Sequence, residues 1–167
     1  MAKNNASVSS PDFFAGLGAA SQGGVKNYVN GGTYLVEILS MVGSRTRKDH
    51  RVVITECRVH EVILALPAED GFAASNRVGE TVSVFVDLDS EFPDMDLGKL
   101  KGQLVAVLGD GIASTDAEWS DLAAKVCTPP GHALAGERMM ITATRTTTKG
   151  GRKIASLVFS AAPSAKV

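Results

Sequence analysis

A chain of 167 residues is one domain by size, and a formal net charge of -1 excludes a generic polycation. A domain of this length can bury roughly 70% of the surface its unfolded chain exposes, so neither disulfides nor a structural metal is needed. Cys57 and Cys127 are the only cysteines, no apolar run approaches the roughly 18 residues of a membrane span, and the N-terminus lacks the charged-then-apolar order of a signal peptide. A soluble, cytoplasmic protein with no membrane partner is the expectation.

The charges are segregated along the chain. Arg138, Arg145, Lys149, Arg152, Lys153 and Lys166 occupy the last thirty positions without an acid, whereas Asp87, Asp89, Glu91, Asp94 and Asp96 fall within ten residues without a base. Such a chain attracts a polyanion on one side and repels it on another.

Residues 1–26, rich in Gly, Ala, Ser and Asn, read as an N-terminal arm whose Phe13-Phe14 pair suits docking on a neighbouring subunit or on the domain itself. A homo-oligomer is therefore compatible. The folded domain is expected over 27–160, followed by a short tail, 161–167. Thr33 to Leu39 alternates as a half-buried strand, with Tyr34, Val36 and Ile38 on the inner face. Gly43 to Arg51 then holds turn formers and the cations Arg45, Arg47, Lys48 and Arg51, an exposed hairpin loop. From Val52 to Ile63 a second strand puts Val53, Cys57, Val59 and Ile63 inward and Val52, Ile54, Arg58 and His60 outward.

A polar loop over Leu66–Arg77, centred on Phe72, leads to a third strand after Gly79, with Val82, Val84 and Val86 inward. Phe85 is left on the polar face, either covered by a neighbouring loop or serving as a flat platform for a base. Asp94 or Asp96 is placed to cap a helix reaching Leu108, with Leu97, Leu100, Leu104, Val107 and Leu108 as its stripe and Gly109 as its stop. Thr115-Asp116-Ala117-Glu118 has the form of a capping box opening a second helix that buries Trp119, Leu122, Ala123 and Val126. Pro129-Pro130-Gly131 ends it. Met139, Ile141 and Ala143 mark a fourth strand, Lys149-Gly150-Gly151 a turn, and Ile154 to Phe159 a fifth.

Five strands with a helical insertion between the third and fourth predict a mainly β, OB-fold-like Greek-key barrel, which binds oligonucleotides with its second and third strands and the loops joining strands 1 to 2 and 4 to 5. Both loops are basic here, the second framed by Arg145, Lys149, Arg152 and Lys153, and they are expected to flank one groove with the acidic run outside it. Tyr34, Phe72, Phe85 and Phe92 are the aromatics placed to reach such a groove, in a chain only 5% aromatic.

The strings Gly32-Thr33-Tyr34-Leu35-Val36-Glu37-Ile38, Thr46-Arg47-Lys48 and Val52 to Val59 resemble those of a family of small tailed-phage proteins with an OB-like fold. Val78-Gly79-Glu80-Thr81-Val82, Leu97 to Gly109, Leu134-Ala135-Gly136 and Thr148-Lys149-Gly150-Gly151 follow in the same order. That resemblance implies single-stranded DNA binding in the cytoplasm of a bacterial host, with phage replication or recombination proteins as partners. The chain ends Ala165-Lys166-Val167 and so departs from bacterial single-strand-binding proteins, which carry an acidic tail.

Nothing points to catalysis, a cofactor or a metal. Asp87, Asp89 and Glu91 begin like an EF-hand loop, but Phe92 stands where its glycine is required and Gly98 where its closing glutamate belongs. Cys57 and His60, three apart on a strand, point to opposite faces. The residues assigned to nucleic acid are Arg45, Arg47, Lys48, Arg51, Arg58, Phe85, Arg145, Lys149, Arg152 and Lys153. A virion or assembly protein using the barrel and arm for protein contacts is the alternative.

Overall fold

The structure is a computed structural model and describes residues 28–163. The expected arm, with Phe13 and Phe14, and the end of the tail, with Lys166, lie outside the described residues. Strands β1 (Gly32–Arg45), β2 (Arg51–Ala65) and β3 (Thr81–Asp87) are followed by helices α1 (Pro93–Leu108) and α2 (Asp116–Cys127), and then by β4 (Arg138–Thr147) and β5 (Lys153–Ala161). All five strands form one antiparallel sheet in the order β3-β2-β1-β4-β5. No described helix is long and apolar enough to cross a membrane.

The expected element order is met, but the sheet does not close as a barrel: β3 and β5 remain its two edges. The reason lies in α1, which packs against β5, β3 and β4 and brings Leu100, Leu104 and Ala106 into the core between them. At Gly102 the helix lies against Phe159 of β5, whose ring a Cβ there would meet at 3.5 Å, in ordinary van der Waals contact. The helix takes the place that strand-to-strand closure would occupy.

Tyr34, Val36 and Ile38 are buried as the alternation requires, yet β1 continues to Arg45 and buries Met41 as well. Register shifts explain this. Leu39 is an extra residue on β1 between the pairs Ile38 with Cys57 and Ser40 with Glu56, so the inward parity moves from even to odd positions. Two further shifts leave His60 and Ile63 as extra residues on β2, which turns Val62 inward and exposes Ile63 and Leu64. Ile63, expected in the core, is therefore on the surface. Val52, expected outside, is buried.

The helix starts differ in kind. Thr115 and Glu118 form the reciprocal capping box, Glu118 N–H donating to Thr115 Oγ1 at 3.2 Å and Thr115 N–H to Glu118 Oε2 at 3.1 Å. In α1, by contrast, Phe92 occupies the cap position without a side-chain bond, and Pro93 begins the helix with its fixed φ; Asp94 and Asp96 sit within the first turn rather than capping it. Leu97 is exposed, whereas Gln103, polar and unexpected in the stripe, is fully buried. Its Oε1 accepts from the equally buried Thr55 hydroxyl at 2.7 Å, which pins α1 to β2. Cys57 is also enclosed, and burial pushes its thiol up to about 12, so it behaves as a small apolar residue.

The Thr55–Gln103 bond makes a stability prediction. Thr55→Val alone leaves a buried acceptor without its donor and should lower unfolding free energy by about 1–3 kcal/mol, whereas Thr55→Val with Gln103→Leu should recover most of that loss. Urea denaturation of the three proteins checks it, the midpoint of the double variant lying above that of the single one.

Candidate nucleic-acid interface

The region where the two open edges meet is organised by Tyr34. Its ring is buried under the sheet, and its hydroxyl shares a donated bond between Asn30 O at 2.8 Å and Gly31 O at 3.0 Å while accepting from Asn76 N–H at 3.0 Å. Asn76 answers by accepting from Asn30 N–H at 2.8 Å, and Ser75 Oγ donates to Gly31 O at 2.6 Å and accepts from Leu66 N–H. These bonds tie residues 28–31 to the long β2–β3 loop. Tyr34 is therefore a structural hub and does not reach a groove.

From this hub two aromatic side chains are carried to the surface. Tyr28 lies along the β3 edge, forming a parallel bridge with Ser83, and is 60% exposed. Phe72 sits in the loop turn, where Glu69 and Phe72 bond to each other through their backbones. Arg145 shares the inward parity of Ile141 and Ala143, so its guanidinium runs under the loop and donates to Pro67 O and Ala73 O. The Arg145 guanidinium and the Lys153 ammonium lie 5.4 and 5.1 Å from the Phe72 ring centroid. Such contacts contribute about 0.5–1 kcal/mol each at exposed sites. Arg145, assigned to phosphate from the sequence, instead holds a loop.

Between the edges lies a cleft of about 660 Å³. Tyr28, Phe72 and Phe85 line it together with Lys99 from α1, Arg152 from the β4–β5 turn and Lys153 from β5, and no carboxylate lies among its described lining residues. Phe85 is on the outward face of β3, opposite Ile54 of β2 and 39% exposed, so it is not a core residue. Lys99 is 3.8 Å from Asp96, and Lys153 Nζ donates to Thr147 Oγ1 at 3.0 Å; Arg152 is exposed at the turn. Flat faces and cations thus share one carboxylate-free cleft.

The β1–β2 loop is elsewhere. Arg45 pairs with Arg51 at one end of β1, while Gly32, at the other end, pairs with Ala143, and β4 runs beyond it to the β4–β5 turn. Fourteen residues of strand, at about 3.3 Å each, separate the two basic loops. They do not flank one groove. Nor is the acidic run remote from the first of them: Arg51 makes a two-nitrogen bond to Asp89, 2.8 Å at the shortest, His50 Nδ1 lies 2.8 Å from Asp87 Oδ2, and Arg45 pairs with Asp49 at 3.0 Å. Arg47 and Lys48 stay exposed outside these pairs. A second cavity of about 410 Å³ at this end carries Arg45 and Arg51, both already paired, and no aromatic residue among its described lining.

Of the ten residues assigned from the sequence, the cleft brings together Phe85, Arg152 and Lys153. Lys149 is at the tip of the adjoining turn, and Arg58 is on the outward face of β2, beside Glu37 of β1. Phe92 is exposed but belongs to the start of α1, outside the cleft lining. Sequence reasoning missed Tyr28 and Lys99. The signal for Tyr28 was an aromatic four residues before a strand in a Gly- and Asn-rich stretch, and Lys99 was hidden by the attention its helix drew as a core stripe. No protein-family model matches the chain, and no curated protein matches it.

The hairpin pairing has a pH signature. Side-chain hydrogen bonds from Arg51 and His50 hold the carboxyls of Asp89 and Asp87 below the usual carboxylate range. A depressed folded-state pKa contributes stability that is complete above the unfolded value of about 4 and is lost as pH falls below it. Asp89→Asn should therefore lower the melting temperature at pH 7, and the gap between the two proteins should begin to close below about pH 4 and narrow progressively as the pH falls further.

Proposed function

We propose that this chain is a non-enzymatic single-stranded DNA-binding protein with an OB-like fold, which coats or protects the strand during phage replication or recombination with little sequence preference. The observation that carries the reading is the cleft in which Tyr28, Phe72 and Phe85 stand beside Lys99, Arg152 and Lys153 without a carboxylate. Single strands are held by cations that track phosphates and by aromatic faces on which bases stack, and stacking tolerates any base because every base has a π-face. Strand order and the helical segment between β3 and β4 support the OB-like reading, with α1 standing between the edges that a closed barrel would pair. The phage context rests on the resemblance of the strand and loop strings.

A virion or assembly protein is the second reading. Phe92 and Met95, both about two-thirds exposed at the start of α1, favour protein contacts there. Salt separates the two: a strand-binding protein elutes from a single-stranded DNA column over a limited salt range, and an assembly protein does not depend on the column's DNA.

The cleft makes the quantitative prediction. Phe72→Ala, Phe85→Ala and Tyr28→Ala should each weaken oligo-dT binding by about 1–3 kcal/mol. Arg152→Ala and Lys153→Ala together should make the slope of log affinity against log salt shallower by about 1.4, at about 0.7 for each phosphate that is no longer neutralised. Arg47→Ala with Lys48→Ala should change it less. Fluorescence titrations at several salt concentrations check both, and cleft variants with unchanged affinity and slope would remove the reading.

A further inference from the structure

The Arg145 side chain reaches the Phe72 loop by passing Gly31. A Cβ at Gly31 would stand 2.7 Å from Arg145 Cγ, 2.9 Å from Nε and 3.2 Å from Cδ, its three nearest atoms and all of one side chain. A contact under 3.0 Å forces one partner to move, and the flexible Arg145 stem is the one that can. The backbone does not call for glycine here. Gly32 has a φ of +143°, but Gly31 is not among the residues with positive φ. Glycine at this position is a matter of space, and Arg145 fills that space.

Contacts at the far end of the side chain show what the space secures. Arg145 Nη2 donates to Pro67 O at 2.5 Å and to Ala73 O at 3.0 Å, carbonyls that precede and follow Phe72, and the guanidinium lies 5.4 Å from the ring centroid. Arg145 Nε is buried and has no hydrogen-bond partner among the described residues, so the polar anchorage rests on Nη2. Hydrogen bonds weaken steeply with misalignment, and a displaced stem therefore loosens both bonds at once. Gly31 and Phe72 line the cleft, whereas Arg145 is not among its described lining residues.

We infer that Gly31 and Arg145 form a positioning pair that seats Phe72 in the cleft, so that Arg145 acts on single-strand binding through the ring and not through a phosphate. The inference rests on the nucleic-acid reading and assigns that site two residues that work through a third. It also removes Arg145 from the cations that track the strand, because its Nη2 is engaged by two carbonyls.

Titration of the full chain with oligo-dT at several salt concentrations, beside deuterium exchange of loop 66–77 without DNA, tests this. Gly31→Ala and Arg145→Ala should each speed exchange at the amides bonded within the loop, those of Glu69, Phe72 and Ser75. Each should weaken oligo-dT binding about fivefold, the lower end of what one stacked base contributes, without changing the salt slope, which loss of a phosphate contact would make shallower by about 0.7. In an Arg145→Ala background, which lacks the atoms the added methyl group would meet, Gly31→Ala should change affinity and exchange little further. A Phe72→Ala background should likewise remove most of the effect of Arg145→Ala on affinity. If Phe72→Ala itself leaves affinity unchanged, the nucleic-acid reading falls and this inference with it. If Phe72→Ala weakens binding but Gly31→Ala and Arg145→Ala do not, or their effects simply add, or Arg145→Ala flattens the salt slope, the inference alone is overturned.

Discussion

The buried hydroxyl of Tyr34 is the contact on which the cleft depends. One oxygen atom is bonded to the segment before β1 and to the loop after β2, two stretches that lie outside the helices and named strands. A phenolic hydroxyl inside a core is tolerated only when satisfied, and the partners that satisfy it are backbone groups of the cleft wall. Tyr28 and Phe72 thereby inherit their positions from a residue that never touches the cleft. Arg145, on the same face of the sheet, reinforces the arrangement by donating to carbonyls of the same loop.

Charge is handled differently at the two ends of β1. At the hairpin end, cations expected to face a polyanion are engaged by Asp49, Asp87 and Asp89, so part of the acidic run serves as internal counter-charge. At the other end Lys153 meets an aromatic ring and a hydroxyl rather than a carboxylate. The overall charge near zero therefore conceals an uneven distribution of engaged and available positive charge.

Much of the fold was legible in the sequence, because strand and helix periods are local. Val82, Val84 and Val86 are buried as their alternation requires, Thr115 and Glu118 cap as their spacing requires, and Met139, Ile141 and Ala143 line the core. What was not legible depends on pairing across the chain. Leu39, His60 and Ile63 read as ordinary strand residues, and only the register between β1 and β2 shows them as bulges that reverse the faces. Barrel closure failed as an expectation because strand count and order do not reveal how far a helix enters between the edges. The site was read in fragments for the same reason: two basic loops look alike in sequence, and antiparallel pairing to a shared β1 sends them to opposite ends. Arg145, assigned to nucleic acid from the sequence, shares the odd-numbered parity of Ile141 and Ala143, a local signal for the inner face that this assignment did not use.

The pairing of Gly32 with Ala143 has a consequence for the newly made chain. β1, β2 and β3 are joined by neighbouring hairpins and can assemble early, but β4 must return across the whole helical segment to reach β1, a closure that carries the larger entropic penalty and is correspondingly slow. Tyr28, Phe72 and Phe85 belong to the early part, while Arg152 and Lys153 arrive with the last hairpin. A chain still emerging from the ribosome thus has the aromatic residues of the cleft and Lys99 before Arg152 and Lys153, and the cleft gains its full positive charge only when the C-terminal strands have docked.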